Sequence, residues 1–350
     1  MLNEVAGPSA PPTPAAGPAV PAGAALPAGA AERPAVSVVI CAFTEDRWDD
    51  LSRAINSVRG QREQPREIIL VVDYCPGLLQ RARRELAGVT ITANRFTRGL
   101  SGGRNTGAAG ATGDVVAFLD DDAMADPGWI ARLADRYRDA GVLGVGGLVQ
   151  PAWDDGRPPW FPPELDWVVG CSYRGMPAGS GPVRNFIGAN MSFRREVLAA
   201  VGGFSAALGR VGTVPLGCEE TELCLRVSQR YPRGVLLYEP AAAASHRVRK
   251  QRATREYLLS RCYSEGLSKA RVAEMAGAGR ALSAERSYVW SAIPRALRRS
   301  LAVAARGRLV GLASAGALIA AVAWAGAGYA VGRVGSRARH LIGPGRVPGA

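Results

Sequence analysis

Three consecutive carboxylates, Asp120, Asp121 and Asp122, close an apolar run from Val115 to Leu119. Carboxylates about 4 Å apart repel by roughly 1 kcal/mol in water, and by several-fold more near a protein surface. Three in a row at the end of a buried strand therefore ask for a cation, and oxygen ligands with open positions suit Mg²⁺ or Mn²⁺. A solvated acidic turn is the plainer account of such a triplet. Its place at the carboxyl end of a core strand, where open α/β sheets bind ligands, favours the cation. A second acidic pair, Glu219 and Glu220, opens GCEETELCLRV, near a helix N-terminus where the dipole favours the charged carboxylate. Simple charge complementarity explains that pair equally well. His246 is one of two histidines, and a lone histidine is more often structural than a ligand.

The elements that position these groups follow from hydrophobic pattern. Val36–Ala42 and Glu67–Asp73 read as buried strands, each followed by a helix, over 49–58 and 78–86. A short strand at 89–92 comes next. GLSGGRNTGAAGATGDVVAFLDDD then supplies a helix capped by Ser101, with Arg104 and Asn105 on its exposed first turn, and the strand that ends in the aspartates. Its small residues let that helix lie close on a sheet. The alternation implies parallel strands covered on both faces, with functional residues at the carboxyl ends: Phe43–Glu45, Asp73 and Asp120–Asp122. The glycine segment is neither a P-loop, since no GK[ST] follows, nor a dinucleotide fingerprint, since it does not follow the first strand. Further on, 127–140 reads as helix, 142–149 as strand, 185–194 as strand, 195–201 as helix, and 235–238 as a short strand before a run of alanines. Trp153, Trp160, Phe161 and Trp167 read as core, with a sugar-stacking surface as the alternative.

Charge is unevenly placed. Residues 247–350 hold 19 Lys+Arg against 4 Asp+Glu, whereas 1–246 hold 24 against 26, so nucleic-acid binding by the main domain has no compositional support. Six cysteines show no zinc spacing and read as free thiols in a reducing compartment. Residues 1–34, with 11 Ala and 8 Pro, read as a disordered tail rather than a signal peptide.

The segments VSVVICAFTED, EIILVVD, GLSGGRNTGAAGATGDVVAFLDDD, GANMSFRR, GCEETELCLR and SHRVRKQRATREYLLSRCYSEGLSKA, in this order and spacing, resemble the family 2 glycosyltransferases. The resemblance covers roughly 36–269. It implies the GT-A fold, a mostly parallel α/β sheet flanked by helices, and an inverting, metal-dependent transfer from a nucleotide-diphosphate sugar to a hydroxyl acceptor. It also implies roles for individual residues. Phe43, Thr44 and Glu45 line the nucleotide pocket, Asp73 binds the base, Arg104 lies near the diphosphate, and Asp120 contacts the ribose side. Asp122, with Asp120 and His246, holds Mg²⁺ or Mn²⁺. Glu220 stands where the family usually has the Asp of a Glu-Asp pair, the catalytic base; because this side chain is longer, Glu219 stays a candidate.

Residues 309–332 carry no charge, and 14 of the 24 are Gly or Ala. As a helix they reach about 36 Å, enough for a hydrocarbon core of about 30 Å. Flanking arginines favour a membrane span over a helix packed on the domain. The expected organisation is a tail over 1–34, a catalytic domain over 35–250, a helical basic extension over 251–307, a transmembrane or membrane-associated helix over 309–332 and a basic tail over 333–350. The enzyme is expected at the cytoplasmic face of the membrane, acting on a lipid-linked or saccharide acceptor. A sugar-phosphate nucleotidyltransferase would want a Gly-rich basic loop where FTEDR stands. A processive synthase would want QxxRW and several spans. A non-catalytic, membrane-anchored sugar-binding protein is the alternative of another class.

Overall fold

The computed structural model describes residues 33–209, 217–277, 279 and 282–342. Nearly all of the tail expected over 1–34, and the end of the basic tail beyond Ile342, lie outside them. Strands β1 (Val36–Ala42), β2 (Glu67–Val72), β3 (Thr90–Ala93), β4 (Val115–Asp120), β5 (Ala123–Ala125), β6 (Val142–Trp153), β7 (Gly181–Pro182), β8 (Asn190–Arg194) and β9 (Val235–Val248) form one sheet. Their order is β3-β2-β1-β4-β8-β6-β9-β5, with β7 on β9. The first four strands pair in parallel, as the alternation implied. β8 runs antiparallel between β4 and β6, and β5 and β7 run antiparallel to β9, so the whole sheet is mixed.

Strand periodicity divides the core. Val38, Ile40, Leu70 and Leu119 enter one apolar cluster, and Val39, Ile69, Val71 and Phe118 the other. Successive side chains of a strand point to opposite faces, so a strand buried on both sides reads as a continuous apolar run. The first face is covered by α1 (Trp48–Arg59), α2 (Pro76–Glu85) and α4 (Trp129–Arg136). The second is covered by α3 (Leu100–Gly110), α5 (Arg195–Ala200) and α6 (Glu219–Arg230). On α3, a Cβ at Gly107 would overlap the Val39 side chain, which is why this helix is written in small residues. The helix expected over 127–140 is confined to α4, because Tyr137 ends it before the turn into β6.

A third cluster joins Val149, Phe161, Leu165 and Val168 to helix α7 (Arg255–Ala276) and to helices Ile293–Ala305 and Val310–Ile342. Phe161 is core, and Trp153 and Trp160 pack half-buried against it, with ring centroids 5.2 and 5.5 Å away. Among the described residues, Val310–Gly335 is the one stretch long and apolar enough to cross a membrane.

Candidate active site

The loops after parallel strands bring the first groups together. After β2, Asp73 is buried, and its carboxylate accepts from the Gly99 N–H (3.0 Å) and from Asn94 Nδ2 (2.7 Å). Gly99 can offer its N–H there because its backbone sits at φ 120°, a region that side chains disfavour. After β1, Phe43 faces the same cleft, whereas Thr44 and Glu45 do not line it. Thr44 accepts from the Asp46 N–H to cap a single 3₁₀ turn, and Glu45 is exposed, directed towards Gly77 at the start of α2.

The aspartates close β4 and are answered by cations from elsewhere. Asp120 is partly exposed, while Asp121 and Asp122 are buried. Arg47 Nη1 reaches Asp121 Oδ1 (3.0 Å) and Asp122 Oδ2 (3.3 Å), and Arg252 Nη2 approaches Asp122 Oδ2 at 3.5 Å. His246 arrives through antiparallel pairing of β5 with β9, which sets it opposite Ala123. Its Nε2 then lies 3.0 Å from Asp122 Oδ1, and its Nδ1 lies 3.7 Å from Cys171 Sγ. The strand expected over 235–238 continues through the alanines to Val248, because those residues pair with β6 and β5. A register shift after Gly147 accommodates this, held by Asn190, whose amide donates to Leu148 O (3.0 Å) and Ala242 O (2.9 Å).

These neighbours set the charge states. Burial, with Asp122 alongside, pushes the Asp121 carboxyl up to about 7 against the pull of Arg47. Burial would likewise raise Asp122, but His246, Arg252 and Arg47 overcome it and hold the carboxyl far below its usual range. Burial would lower His246; Asp122 reverses this and lifts the imidazole to about 10.

Arg104 joins this cluster to the second acidic pair. The residue is 2% exposed, so the first turn of α3 is buried rather than open to solvent. Ser101 does not cap it: Gly99 occupies the cap position, and the Ser101 hydroxyl donates to Leu208 O (2.8 Å) beneath the loop that covers this turn. Arg104 Nη2 meets Asp120 Oδ1 (3.2 Å) and Gly188 O (3.0 Å), and Nη1 meets Glu219 Oε1 (2.8 Å). Glu219 is thereby buried and held, with its Oε2 unpartnered. Glu220, one residue on at the start of α6, is partly exposed and lines a cavity of about 410 Å³. Burial, with Glu219 alongside, pushes the Glu220 carboxyl up to about 7, while Lys269 pulls it down.

The cleft of Phe43, Asp73 and the aspartates and the cavity of Glu220 share Leu100, Asp120, His246 and Arg252. The cavity continues along α7 to Val322, Ala325 and Tyr329 of the last helix, and Trp167 also lines it. A divalent cation fits the shared wall. Asp120, Asp122 and His246 offer ligand atoms within 4.8 Å of one another, and the neighbouring Asp121 Oδ2 is buried with no hydrogen-bond partner. The two carboxylate oxygens suit Mn²⁺ or Mg²⁺, and the imidazole nitrogen favours Mn²⁺ of the two.

Sequence reasoning missed Arg47 and Arg252. The available signal was the aspartate triplet itself, which demands counter-charge, and each arginine lies just beyond a strand, β1 or β9.

The model of the glycosyl transferase family 2 matches residues 37–202. A glucosyl-dolichyl phosphate glucuronosyltransferase of Haloferax volcanii is 36% identical over 238 residues, which are 67% of this chain and 76% of that protein. A polypeptide N-acetylgalactosaminyltransferase 15 of Mus musculus is 35% identical over 30% of this chain, and only 18% of that longer protein is spanned. Among solved structures, the mannosyltransferase PcManGT of Pyrobaculum calidifontis, in complex with GDP-Man and Mn²⁺, superposes with a TM-score of 0.52 at 18% identity. That match covers 89% of this chain and 90% of the other, and it bears on the fold.

Proposed function

The chain belongs to glycosyl transferase family 2 and is a GT-A glycosyltransferase using a nucleotide-sugar donor; from that premise we propose a metal-dependent, inverting transfer to the hydroxyl of a lipid-linked sugar. The observation that carries this is the Arg104 bridge, which sets Asp120 and Glu219 on one guanidinium. In this reading Phe43 and Asp73 hold the nucleoside. Asp120, Asp122 and His246, whose imidazole would release its proton to solvent on binding, would hold Mg²⁺ or Mn²⁺, which when bound neutralises charge on the diphosphate leaving group.

Glu220 Oε takes the proton of the acceptor hydroxyl as that oxygen attacks the anomeric carbon. The carbon–oxygen bond to the diphosphate breaks on the opposite side, so one displacement inverts the centre. A carboxyl raised to about 7 is poised for this task near neutral pH. Both glutamates line the cavity, but Glu219 is the positioning residue, since it is buried with its carboxylate held by Arg104 while Glu220 is partly exposed and free of that arginine.

The lipid-linked acceptor is supported by the Haloferax relative, whose name states a dolichyl phosphate substrate, and by the apolar wall of Val322 and Ala325. The reading places the enzyme at the cytoplasmic face, where nucleotide sugars are held. Incubating the full chain with a panel of nucleotide sugars, Mn²⁺ and polyprenyl-phosphate-linked sugars tests it. Metal-dependent release of nucleoside diphosphate, with an inverted product anomer by NMR, is expected; retained configuration overturns the single displacement.

A further inference from the structure

Helix Val310–Ile342 has two faces of unlike character. Gly311, Ala315, Leu318, Ala321 and Gly328 are buried. A Cβ at Gly328 would strike the Tyr263 backbone, and one at Gly266 would strike Ala325. Gly332 sits equally close to Ala270. Leu258 and Cys262 share a cluster with Ala317, Leu318 and Ala321, and the later Val272 and Ala273 share one with Tyr329, so this helix and α7 run side by side in one direction. Leu318 and Ala321 also belong to the apolar cluster of Val149, Phe161 and Leu258. On the other face Leu312, Ile319, Trp324, Val331 and Val334 are 46 to 68% exposed. Exposed Gly316, Ala323 and Ala327 fill the intervals of this helical stripe. No charge interrupts it from Leu309 to Gly332, and from Leu312 to Val334 it runs about 33 Å.

We propose that this stripe is the surface by which the protein meets an anionic membrane, with the helix lying in the plane of the membrane surface instead of crossing it. The proposal deepens the membrane-held reading above. Length and composition alone permit crossing. Crossing would carry α7, packed in register alongside, to hydrocarbon depth with Arg261, Glu265 and Lys269, where ionised side chains are strongly disfavoured. It would also withdraw Leu318 and Ala321 from the core cluster. A helix with one buried face and one exposed apolar face lies instead along the interface.

Charge identifies the occupant. Ten arginines and no acid follow Glu285 in the sequence. Arg295 and Arg298 are exposed on helix Ile293–Ala305, which packs on this helix, and Arg306 and Arg308 are exposed on the turn that leads into it. Anionic headgroups complement that surface, whereas a second copy would bring the same positive flanks against it. The reverse of the helix walls the Glu220 cavity through Val322 and Ala325, so an acceptor resident in the same leaflet lies beside the base.

The test uses the full chain with phosphatidylcholine vesicles containing about 30% phosphatidylglycerol. In a background carrying Cys41→Ser and Cys75→Ser, which removes the two half-exposed thiols, cysteines introduced one at a time at Leu312, Ile319, Ala323 and Val334 carry an environment-sensitive dye. All four dyes should move to an apolar environment at one shallow depth, by quenching with spin-labelled lipids, and should be reduced by dithionite added outside. A deep dye at Ala323 between shallow dyes at Leu312 and Val334 would establish a span and overturn the proposal. So would dyes that stay in water, or that are shielded without vesicles in a dimer. Ile319→Glu with Trp324→Glu, both at exposed positions, should lower vesicle partition about ten-fold or more with melting temperature and nucleotide affinity unchanged; undiminished partition overturns the proposal. Failure to bind vesicles with nucleotide binding intact counts against the in-plane surface alone, whereas failure to bind any nucleotide sugar counts against the proposed function.

Discussion

The two adjoining pockets are built in opposite ways. The smaller cleft takes its groups from loops that close β1, β2 and β4, and its main carboxylates are already answered. Asp73 is held by the Gly99 N–H, and Asp122 by Arg47, Arg252 and His246. The larger cavity is assembled from the loop before β8, from α6 and α7, and from the last helix. It keeps the Glu220 carboxyl pushed up to about 7 and facing open space, whereas the one carboxyl raised as far in the smaller cleft, Asp121, is buried and paired with Arg47. A side that binds a charged donor works best when its charges are fixed in place beforehand. A side that moves a proton needs a group whose protonation changes near the working pH. Arg104, touching Asp120 and Glu219, is the one described side chain that pairs with an acid of each half.

Breaking the fixed half should cost most. Asp122→Asn removes the charge that answers three cations and one of the three candidate metal ligands. Transfer in Mn²⁺ should fall on the order of 10⁴-fold in kcat/KM, and titration of the apo-protein by Mn²⁺ should no longer saturate. The asparagine isostere is preferable to alanine, because leaving buried cations without a partner costs about 3–5 kcal/mol.

Breaking the adjustable half should cost somewhat less and should split differently. Glu220→Gln should lower kcat by about 10³-fold, while calorimetry finds nucleotide affinity unchanged. If nucleotide binding is lost instead, Glu220 belongs to the donor side and Glu219 becomes the base.

Arg104→Lys probes the joint. An ammonium cannot span Asp120 and Glu219 as the guanidinium fork does, so losses of about 10- to 100-fold are expected in kcat/KM. They should be divided between weaker donor binding and slower turnover, unlike either change above.

The smallest effect is expected at Glu45. Because this side chain lies outside the cleft, Glu45→Ala should change nucleotide affinity less than about two-fold, whereas Phe43→Ala should weaken it visibly in the same titration.

What was legible beforehand follows the same division. The parallel strands, their order of appearance and the aspartates at a strand end could be read because each is written in one contiguous run. The acidic pair at the start of α6 was legible for the same reason. Arg104 was recognised by type but expected on an exposed turn, since nothing in GLSGGRNTG tells that the loop carrying Leu208 closes over it. His246 needed the β5–β9 pairing to reach Asp122, and alanines between it and Tyr238 looked like the end of a strand rather than its continuation. Arg47 and Arg252 compensate charges 74 and 130 positions away, a relation no local pattern encodes. The last helix showed its length and apolarity in advance. Its one-sided packing became visible only when Gly266 and Gly328 were found at the backbone of a partner helix.

The central claim is that Glu220, and not Glu219, is the proton acceptor, and the pH dependence of kcat at saturating donor tests it most directly. Because the Glu220 carboxyl is pushed up to about 7, it is protonated and idle below that value. The rate should therefore rise with pH, bend near 7 and level above it, and Glu220→Gln should be slow and flat across the same range, while Glu219→Gln keeps a bend moved to lower pH because the Glu219 charge helps to raise Glu220. A bend that survives in Glu220→Gln and disappears in Glu219→Gln would contradict the account.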